Sequence, residues 1–216
     1  MLSLNLRSAG DPLRFLCLGA HCDDIELGCG GSLLRLLSEH PGSEVTWLVL
    51  SSNPERERET RASAADFLAA SGQATVEIRT FRESYFPYQG EAIKEVFDEV
   101  KGRVSPDVVF THHRRDEHQD HRLVGALTWQ TFRDHLILEY EIPKYEGDLG
   151  APNLFVPLDA ETARRKVDLI VRHYPSQAGR SWFRPSTFEA ILGIRGVECN
   201  AADGLAEAFH CRKTVV

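Results

Sequence analysis

Short apolar runs alternate with longer amphipathic stretches along most of this 216-residue chain. The apolar runs predict five strands, at residues 14–19, 45–50, 75–79, 107–111 and 136–141. Apolar positions at helical spacing predict four helices, at residues 30–40, 55–70, 91–104 and 158–173. Strands that alternate with helices form a parallel sheet covered on both faces, through right-handed crossovers. The pattern therefore predicts an α/β fold, a Rossmann-like three-layer sandwich with a mostly parallel central sheet.

The last third of the chain is less regular. Residues 145–153, YEGDLGAPN, contain two glycines and a proline and predict a surface loop. Residues 204–216, GLAEAFHCRKTVV, fit either a strand or the end of a helix. Because the chain shows no internal repeat, no low-complexity tract and no linker, we expect a single domain over residues 1–216.

The composition narrows the class of partner. A hydrophobic content of 42% with 26% charged residues is typical of a soluble globular protein. The formal net charge of −7 argues against a surface that neutralises phosphates, so we expect a small-molecule partner and no nucleic acid. No apolar run approaches the roughly 20 residues that cross a bilayer, and the first residues lack a leader pattern. We therefore expect a cytoplasmic protein that does not enter a membrane.

The cysteine pattern favours free thiols. The number of cysteines is odd and no CxxC pair is present, so neither a disulfide framework nor a thiolate zinc site is indicated. The five residues are Cys17, Cys22, Cys29, Cys199 and Cys211.

A first polar cluster, HCDDIE at residues 21–26, directly follows the first predicted strand. In open α/β sheets, ligands bind beyond the carboxyl ends of the strands. His21 and Asp24 are three residues apart, so one tight turn would aim both side chains at one point, as a zinc ion requires. Asp23 would then point elsewhere, where a carboxylate could take a proton from an attacking water.

Two other interpretations of this cluster stay open. Adjacent aspartates at the start of a helix are common as an N-cap and its neighbour, which suit the positive end of the helix dipole. The glycines of GCGGS, residues 28–32, could instead cradle a phosphate, although they lack the GxGxxG spacing of a dinucleotide site.

A second polar cluster, THHRRDEHQDHR at residues 111–122, holds four of the nine histidines. It follows the fourth predicted strand, so both clusters should meet at one edge of the sheet. His118 and His121 are again three residues apart. Since a catalytic zinc takes three protein ligands, one of these histidines would complete the site and the other would serve acid chemistry. Asp120 could orient that second histidine, although a solvated loop is the alternative for any single residue here.

The two clusters resemble the signatures of a known family. AHCDDIELGCGG resembles AHPDDxxLGCGG, and HQDHR resembles HPDHR, of the LmbE/PIG-L family of zinc-dependent deacetylases that act on N-acetylglucosamine-type groups. The later HYPSQ extends the similarity over most of the chain. Cys22 and Gln119 replace two family prolines that supply no chemistry. The resemblance implies one zinc ion per chain, with His21, Asp24 and His121 as its ligands and no thiolate from Cys22.

The resemblance also implies the catalytic roles. Asp23 would be the general base, and His118 would polarise the carbonyl or protonate the leaving amine, with Asp120 orienting His118. The family has a pocket-facing arginine near the start of its second helix, for which Arg56 fits slightly better than Arg58. An ordinary solvated helix face is the alternative for both arginines.

We therefore expect a zinc-dependent hydrolase that removes the acetyl group from a small-molecule N-acetylated sugar conjugate. A nucleotide- or metabolite-binding module without catalysis, and a metal-dependent hydrolase of another bond, stay open as alternatives. Residues 85–89 and 145–153 are the candidates for recognising the rest of the substrate. Glu207 resembles a feature of related chains but receives no role, and the sequence leaves open whether the chain forms a homo-oligomer.

Overall fold

Seven strands form one mixed sheet in the computed structural model, which describes residues 5–8 and 10–215. The strands are β1 (Arg14–Gly19), β2 (Glu44–Val49), β3 (Gln73–Ile78), β4 (Val108–His112), β5 (Leu136–Tyr140), β6 (Leu154–Pro157) and β7 (Ala206–Cys211). Their order across the sheet is β3-β2-β1-β4-β5-β7-β6. The first five strands are parallel, whereas β7 runs antiparallel to both β5 and β6.

In the described part of the chain, six helices cover the two faces of the sheet. They are α1 (Asp24–Glu39), α2 (Pro54–Phe67), α3 (Gly90–Arg103), α4 (Gln119–Thr131), α5 (Ala160–His173) and α6 (Pro185–Cys199). Helices α1, α2, α5 and α6 pack on one another on one side, and α3 packs on α4 on the other. Each layer covers its own cluster of buried apolar side chains. This three-layer arrangement confirms the predicted fold class.

The chain reverses its direction across the sheet at β1. From β1 it proceeds to β2 and β3 on one side, and it then returns to place β4 on the other side of β1. The crevice outside the carboxyl ends of β1 and β4 is therefore the topological switch point, where open α/β sheets bind their ligands. Both polar clusters of the sequence begin here.

The five predicted strands are confirmed with ends that differ by at most two residues, but helix α1 begins at Asp24 rather than at residue 30. The glycines that precede and follow the predicted start lie inside the helix and serve close packing. A Cβ atom on Gly28 would lie 2.2 Å from the ring of Tyr140, and one on Gly31 would lie 2.5 Å from Leu158. Packing at such short range accepts only glycine and outweighs its low helix propensity.

Elements that the pattern did not predict lie mainly in the last third of the chain. Helices α4 and α6 and strand β6 have no counterpart among the predicted elements. Of the two alternatives for residues 204–216, the strand is the one observed, as β7. Residues 145–153 form the expected irregular segment. The amino-terminal residues 1–4 and 9, part of the segment searched for a leader, lie outside the described residues, as does residue 216.

A buried ion pair is inserted into the middle of α1. The carboxylate of Glu207 accepts hydrogen bonds from the backbone N–H groups of Gly31 and Ser32, at 2.8 and 2.7 Å. Lys166 donates to Glu207 at 2.5 Å and to the carbonyl oxygen of Leu27 at 2.7 Å. In a regular helix, that carbonyl would accept from Gly31. Residues of β7 and α5 thus share the hydrogen bonding of α1, which is the structural role of Glu207.

Candidate metal centre and active site

The ends of β1 and β4 are tied together at the switch point. His112 is the last residue of β4, and its Nε2 accepts a hydrogen bond from the backbone N–H of Ala20 at 3.0 Å. The loop that follows Ala20 leads into α1, and the loop that follows His112 leads into α4. The two polar clusters are therefore brought together, as the parallel topology predicted.

Three polar side chains converge on one point in this crevice. The Nδ1 atom of His21 lies 3.1 Å from Nε2 of His121 and 3.5 Å from Oδ2 of Asp24. Nε2 of His121 lies 3.6 Å from the other carboxylate oxygen of Asp24. Ligand atoms that surround a tetrahedral zinc at 2.0–2.1 Å are about 3.3–3.4 Å from one another. The contact between the two imidazoles is close to this spacing, and the two contacts with Asp24 reach different oxygens of its carboxylate. Two imidazoles and one carboxylate suit a zinc ion in their chemistry.

Two further histidines adjoin this point. Ligand atoms lie within 4.8 Å of one another in two overlapping groups, His21 with His118 and His121, and Asp24 with His112 and His121. The ring of His112 stacks on that of His121 at 3.9 Å, and its Nε2 lies 3.0 Å from Asp24. The sequence analysis did not single out His112. Its place as the last residue of a central strand is the signal that could have identified it.

The charges around the site favour a cation. Burial lowers the pKa of His21, but the carboxylates of Asp24 and Asp120 outweigh burial and raise this pKa to about 10. Burial raises the pKa of the Asp24 carboxyl. The neighbouring His121, His112 and His21 outweigh burial and hold this pKa well below the usual range. Burial, with His112 nearby, lowers the pKa of His121 to about 3. A positive charge, as a proton or as a metal ion, is thus stabilised beside Asp24.

Asp116 and Lys144 support His121 from behind. Asp116 Oδ2 contacts Nδ1 of His121 at 3.0 Å, and Lys144 Nζ lies 3.0 Å from the same carboxylate oxygen. A carboxylate on the far nitrogen holds the proton there and leaves Nε2 free to bind a metal. Sequence reasoning gave neither residue this role. Lys144 lies in the irregular segment after β5, too far along the chain for spacing to connect it with the site.

The carboxylate of Asp120 has a different partner from the expected one. The sequence analysis expected it to orient His118, but Oδ2 lies 3.1 Å from Nε2 of His21 and also accepts from the backbone N–H of Ser84 at 2.6 Å. Oδ1 accepts from the backbone N–H of Phe86 at 3.1 Å. Asp120 therefore positions His21 and the loop that contains Ser84. Asp120 does not have His118 as its side-chain partner, because the first turn of α4 directs its carboxylate toward the loop that contains Ser84.

His118 is held by the helix that it begins. Its Nδ1 accepts a hydrogen bond from the backbone N–H of Asp120 at 3.3 Å, so His118 is the N-cap of α4. Burial, together with the nearby His21, lowers the pKa of His118. A neutral ring whose Nδ1 accepts a hydrogen bond carries its proton on Nε2. His118 can therefore donate from Nε2.

Asp23 and Arg56 form a pair at the edge of the site. Arg56 Nη2 lies 2.8 Å from Asp23 Oδ1. Burial raises the pKa of the Asp23 carboxyl, although Arg56 opposes this shift. Asp23 occupies the N-cap position of α1, but its side chain makes no capping hydrogen bond, so the helix-cap interpretation does not account for it. Of the two candidate arginines, Arg56 lines the cleft beside His21, whereas Arg58 is exposed on the helix.

Neither a thiolate ligand from Cys22 nor the remaining alternative, the phosphate cradle, is supported by the structure. The thiol of Cys22 donates to the carbonyl oxygen of Ser51 at 3.3 Å, and burial raises its pKa, so it is held as a thiol. The glycines of residues 28–32 lie inside α1 against packed side chains and do not form a turn at its beginning. A phosphate cradle needs free backbone N–H groups at a helix N-terminus.

An open cleft leads from the solvent to His21. Its volume is about 240 Å³. Side chains from the loops after β2 and β3 and from the first turn of α2 line it with His21: Ser51, Ser52, Asn53, Arg56, Thr80, Phe81, Arg82 and Glu83. Arg56 is set in that first turn because Asn53 caps α2 by accepting from the backbone N–H groups of Glu55 and Arg56. A small polar substrate therefore has access to the cluster.

Among the residues that the structure describes, no helix is both long enough and apolar enough to cross a membrane.

Comparison with known proteins agrees with this geometry. Residues 16–132 match the family model of the GlcNAc-PI de-N-acetylases, PIG-L. YaiS of Escherichia coli K12, described as an uncharacterized deacetylase, is 31% identical over 150 residues, which are 64% of this chain and 78% of that protein. Both PIG-L signature clusters fall inside the matched region.

Solved structures share the fold at low sequence identity. The N,N'-diacetylchitobiose deacetylase of Pyrococcus horikoshii, complexed with its inhibitor MPG, superposes with a TM-score of 0.69 at 18% identity, covering 95% of this chain and 84% of that one. GalB, the 4-carboxy-2-hydroxymuconate hydratase of Pseudomonas putida KT2440, gives a TM-score of 0.72 at 17% identity, covering 94% and 98%. These two likenesses concern the fold alone. Since the family model spans more than half of the chain, the protein belongs to the PIG-L family and is a deacetylase at the level of that family.

Proposed function

We propose that the protein is a zinc-dependent hydrolase that removes the acetyl group from an N-acetylated amino sugar or glycoconjugate. The convergence of His21 Nδ1, His121 Nε2 and the Asp24 carboxylate at the switch point is the observation that supports this proposal most strongly. These three residues would hold one zinc ion per chain. When bound, the ion supplies Lewis acidity, which makes a water more acidic and polarises a carbonyl.

Asp23 is the proposed general base. It adjoins the three proposed ligands without being one of them, and burial raises the pKa of its carboxyl. A carboxylate with a raised pKa is a better proton acceptor near neutral pH than an ordinary one. Asp23 would take a proton from the water that attacks the acetyl carbonyl, while Arg56 holds the carboxylate in place through the 2.8 Å contact.

His118 is the proposed group for stabilising the negative charge on the acetyl oxygen. Its N-cap hydrogen bond leaves a proton on Nε2, and that N–H can donate to an oxyanion. The carbon–nitrogen bond of the amide then breaks. The amine leaves with the proton that Asp23 accepted, and the products are acetate and the free amino sugar.

The test uses acetate release from a panel that includes N-acetylglucosamine conjugates and N,N'-diacetylchitobiose, with and without a chelator. We expect zinc-loaded protein to release acetate and chelator-treated protein to lose this activity until zinc is restored. Asp23→Asn should keep the zinc but reduce kcat by about 10²- to 10⁴-fold, the usual contribution of a general base. Asp168→Asn is the matched control, because Asp168 is exposed on α5.

Two results would contradict the proposal. Wild-type kcat in Asp23→Asn would remove the assigned base, and a protein that binds no zinc and hydrolyses no member of the panel would remove the function.

A metal-dependent hydrolase of a phosphoester is less consistent with the site. Phosphoryl chemistry commonly uses two metal ions about 3.5–4 Å apart. The two candidate ligand groups overlap at His121, and one imidazole nitrogen binds one ion, so the groups describe a single metal position. Arg56, a partly buried cation of the cleft, is already paired with Asp23. The cytoplasmic location and the oligomeric state stay predictions that solution measurements would test.

A further inference from the structure

The loop between β3 and α3, residues 79–89, stands at the mouth of the active-site cleft. Thr80, Phe81, Arg82 and Glu83 line the cleft together with His21. The next residues leave the cleft and carry two tyrosines to the surface. Tyr85 is 40% exposed and Tyr88 is 84% exposed, unusually high for a large ring.

Three side chains of this loop form a continuous surface, here named the outer platform: Arg82, Tyr85 and Tyr88. The guanidinium of Arg82 lies 3.6 Å from the centre of the Tyr85 ring, and the rings of Tyr85 and Tyr88 are 6.1 Å apart. Arg82 also lines the cleft, so the platform continues the cleft wall outward. Aromatic faces beside a cation offer both apolar stacking and hydrogen-bond donors.

The outer platform is held rigidly although its rings are exposed. Asp120 accepts hydrogen bonds from the backbone N–H groups of Ser84 and Phe86. The side-chain amide of Gln89 bridges the backbone N–H and carbonyl oxygen of Arg82. Ser84 has a φ of 66°, a left-handed conformation that costs energy for a residue other than glycine. A surface loop with this many fixed contacts is organised before any ligand arrives, which reduces the entropy lost on binding.

The size of the cleft indicates what the outer platform would contact. Pockets that enclose a drug-sized ligand have volumes of about 300–1,000 Å³, and this cleft has about 240 Å³. A single acetylated sugar ring would occupy much of that space. Any second ring joined to it must therefore extend out of the cleft, where the platform lies.

Residues 145–153, the other candidate for recognising the rest of the substrate, offer fewer contacts near the active-site cleft than the outer platform does. The hydroxyl of its exposed Tyr145 lies 3.2 Å from Ser181 Oγ, and none of its residues lines the cleft that contains His21. Asp148 and Leu149 border a separate crevice of about 10 Å³, which holds no more than a water.

We infer that the outer platform is a binding subsite for a second sugar ring attached to the N-acetylated sugar that undergoes hydrolysis. The inference rests on the proposed deacetylation and names a structural class within it, acetylated amino sugars that carry a further ring. The apolar C–H face of that ring would stack on Tyr88 and Tyr85, and its hydroxyl groups would accept hydrogen bonds from Arg82.

The first experiment compares kcat/KM for N,N'-diacetylchitobiose with kcat/KM for the methyl glycoside of N-acetylglucosamine. In Tyr88→Ala, the ratio of the two values should fall about 3- to 10-fold, the size of one lost aromatic contact. Tyr88→Phe should restore the ratio, because it keeps the ring. Tyr145→Ala removes an exposed tyrosine outside the platform and should keep the wild-type ratio. A wild-type ratio in Tyr88→Ala, or a fall equal to that in Tyr145→Ala, would overturn the inference.

A second experiment detects binding without turnover. In zinc-loaded Asp23→Asn protein, saturation-transfer NMR with N,N'-diacetylchitobiose should show transfer to protons of both rings. Adding Tyr88→Ala should weaken transfer to the second ring selectively. If the wild-type protein released no acetate from either substrate, the proposed function would fail, and this binding measurement would still decide on the platform. Transfer confined to one ring in the parent variant would refute the platform by itself.

Discussion

Replacing Asp120 by asparagine separates two tasks that one buried carboxylate performs. Asp120 is fully buried and has three partners: the N–H groups of Ser84 and Phe86, and the Nε2 of His21. Burial would raise the pKa of Asp120, but His21 and the two backbone N–H groups outweigh burial and lower it, so the group is a carboxylate at neutral pH. Asparagine has the same shape but only one accepting oxygen.

With one accepting oxygen instead of two, asparagine cannot keep all three contacts of Asp120. If the amide oxygen keeps the Oδ2 position, the NH2 group faces the N–H of Phe86 and leaves this buried donor without a partner. An unsatisfied buried donor costs about 1–3 kcal/mol of folding stability. The contact with His21 loses its charge as well. Changing a residue that orients a metal-binding histidine typically weakens metal affinity by about 10- to 100-fold.

Two measurements test this prediction. Chemical denaturation of metal-free protein gives the change in stability, and competition with a chromophoric zinc chelator gives the change in affinity. Asp168→Asn, on the exposed side of α5, should change neither quantity. Zinc affinity within 2-fold of wild type, combined with the expected loss of stability, would show that Asp120 holds the loop but does not orient His21. No change in either quantity would refute both assignments.

Three further substitutions have expected outcomes by chemical denaturation. Glu207→Gln should destabilise the protein by about 3–5 kcal/mol, because it leaves Lys166 buried without a countercharge, and a loss below about 1 kcal/mol would contradict this account. Gly28→Ala should lower the free energy of unfolding by about 1–3 kcal/mol, since the new Cβ would lie 2.2 Å from the ring of Tyr140. Gly179→Ala is the control and should be nearly neutral, because nothing lies within 4 Å of its Cβ position. Glu141→Gln should lower the free energy of unfolding by about 3–5 kcal/mol at pH 7, because it removes the carboxylate that pairs with the buried Arg195. Burial raises the pKa of Glu141, but its histidine and arginine neighbours outweigh burial and lower this pKa. The difference in unfolding free energy between wild type and Glu141→Gln should therefore shrink as the pH falls below about 4.5. A difference that is independent of pH would exclude the ion pair as its cause.

The elements that the sequence predicted are those with a strong periodic signal. The central strands β1 and β4 are short, mainly apolar runs because both of their faces are covered by helices. Parallel strands end at the same edge, so this topology alone placed the two polar clusters together. Spacing and topology left either His118 or His121 as the third ligand beside His21 and Asp24, and only the family resemblance selected His121.

What could not be predicted depends on contacts between distant parts of the chain. Helix α6 contains two glycines and its apolar pattern is weak, so only its packing on α5 and β7 defines it. The partner of Asp120 depends on the direction of a carboxylate in the first turn of α4, which sequence spacing does not determine. Lys144, in the segment after β5, joins the site through a contact with Asp116, which no local pattern encodes.

The ion pair of Lys166 and Glu207 inside α1 has a consequence for the newly made chain. The helix that carries Asp24 needs residues more than 130 positions downstream to complete its hydrogen bonding. A polypeptide still on the ribosome, with both signature clusters already translated, would not yet contain strand β7. We therefore expect zinc capture to be a late event in biogenesis, and premature termination before residue 206 to yield a product that retains every proposed ligand but holds the ion poorly.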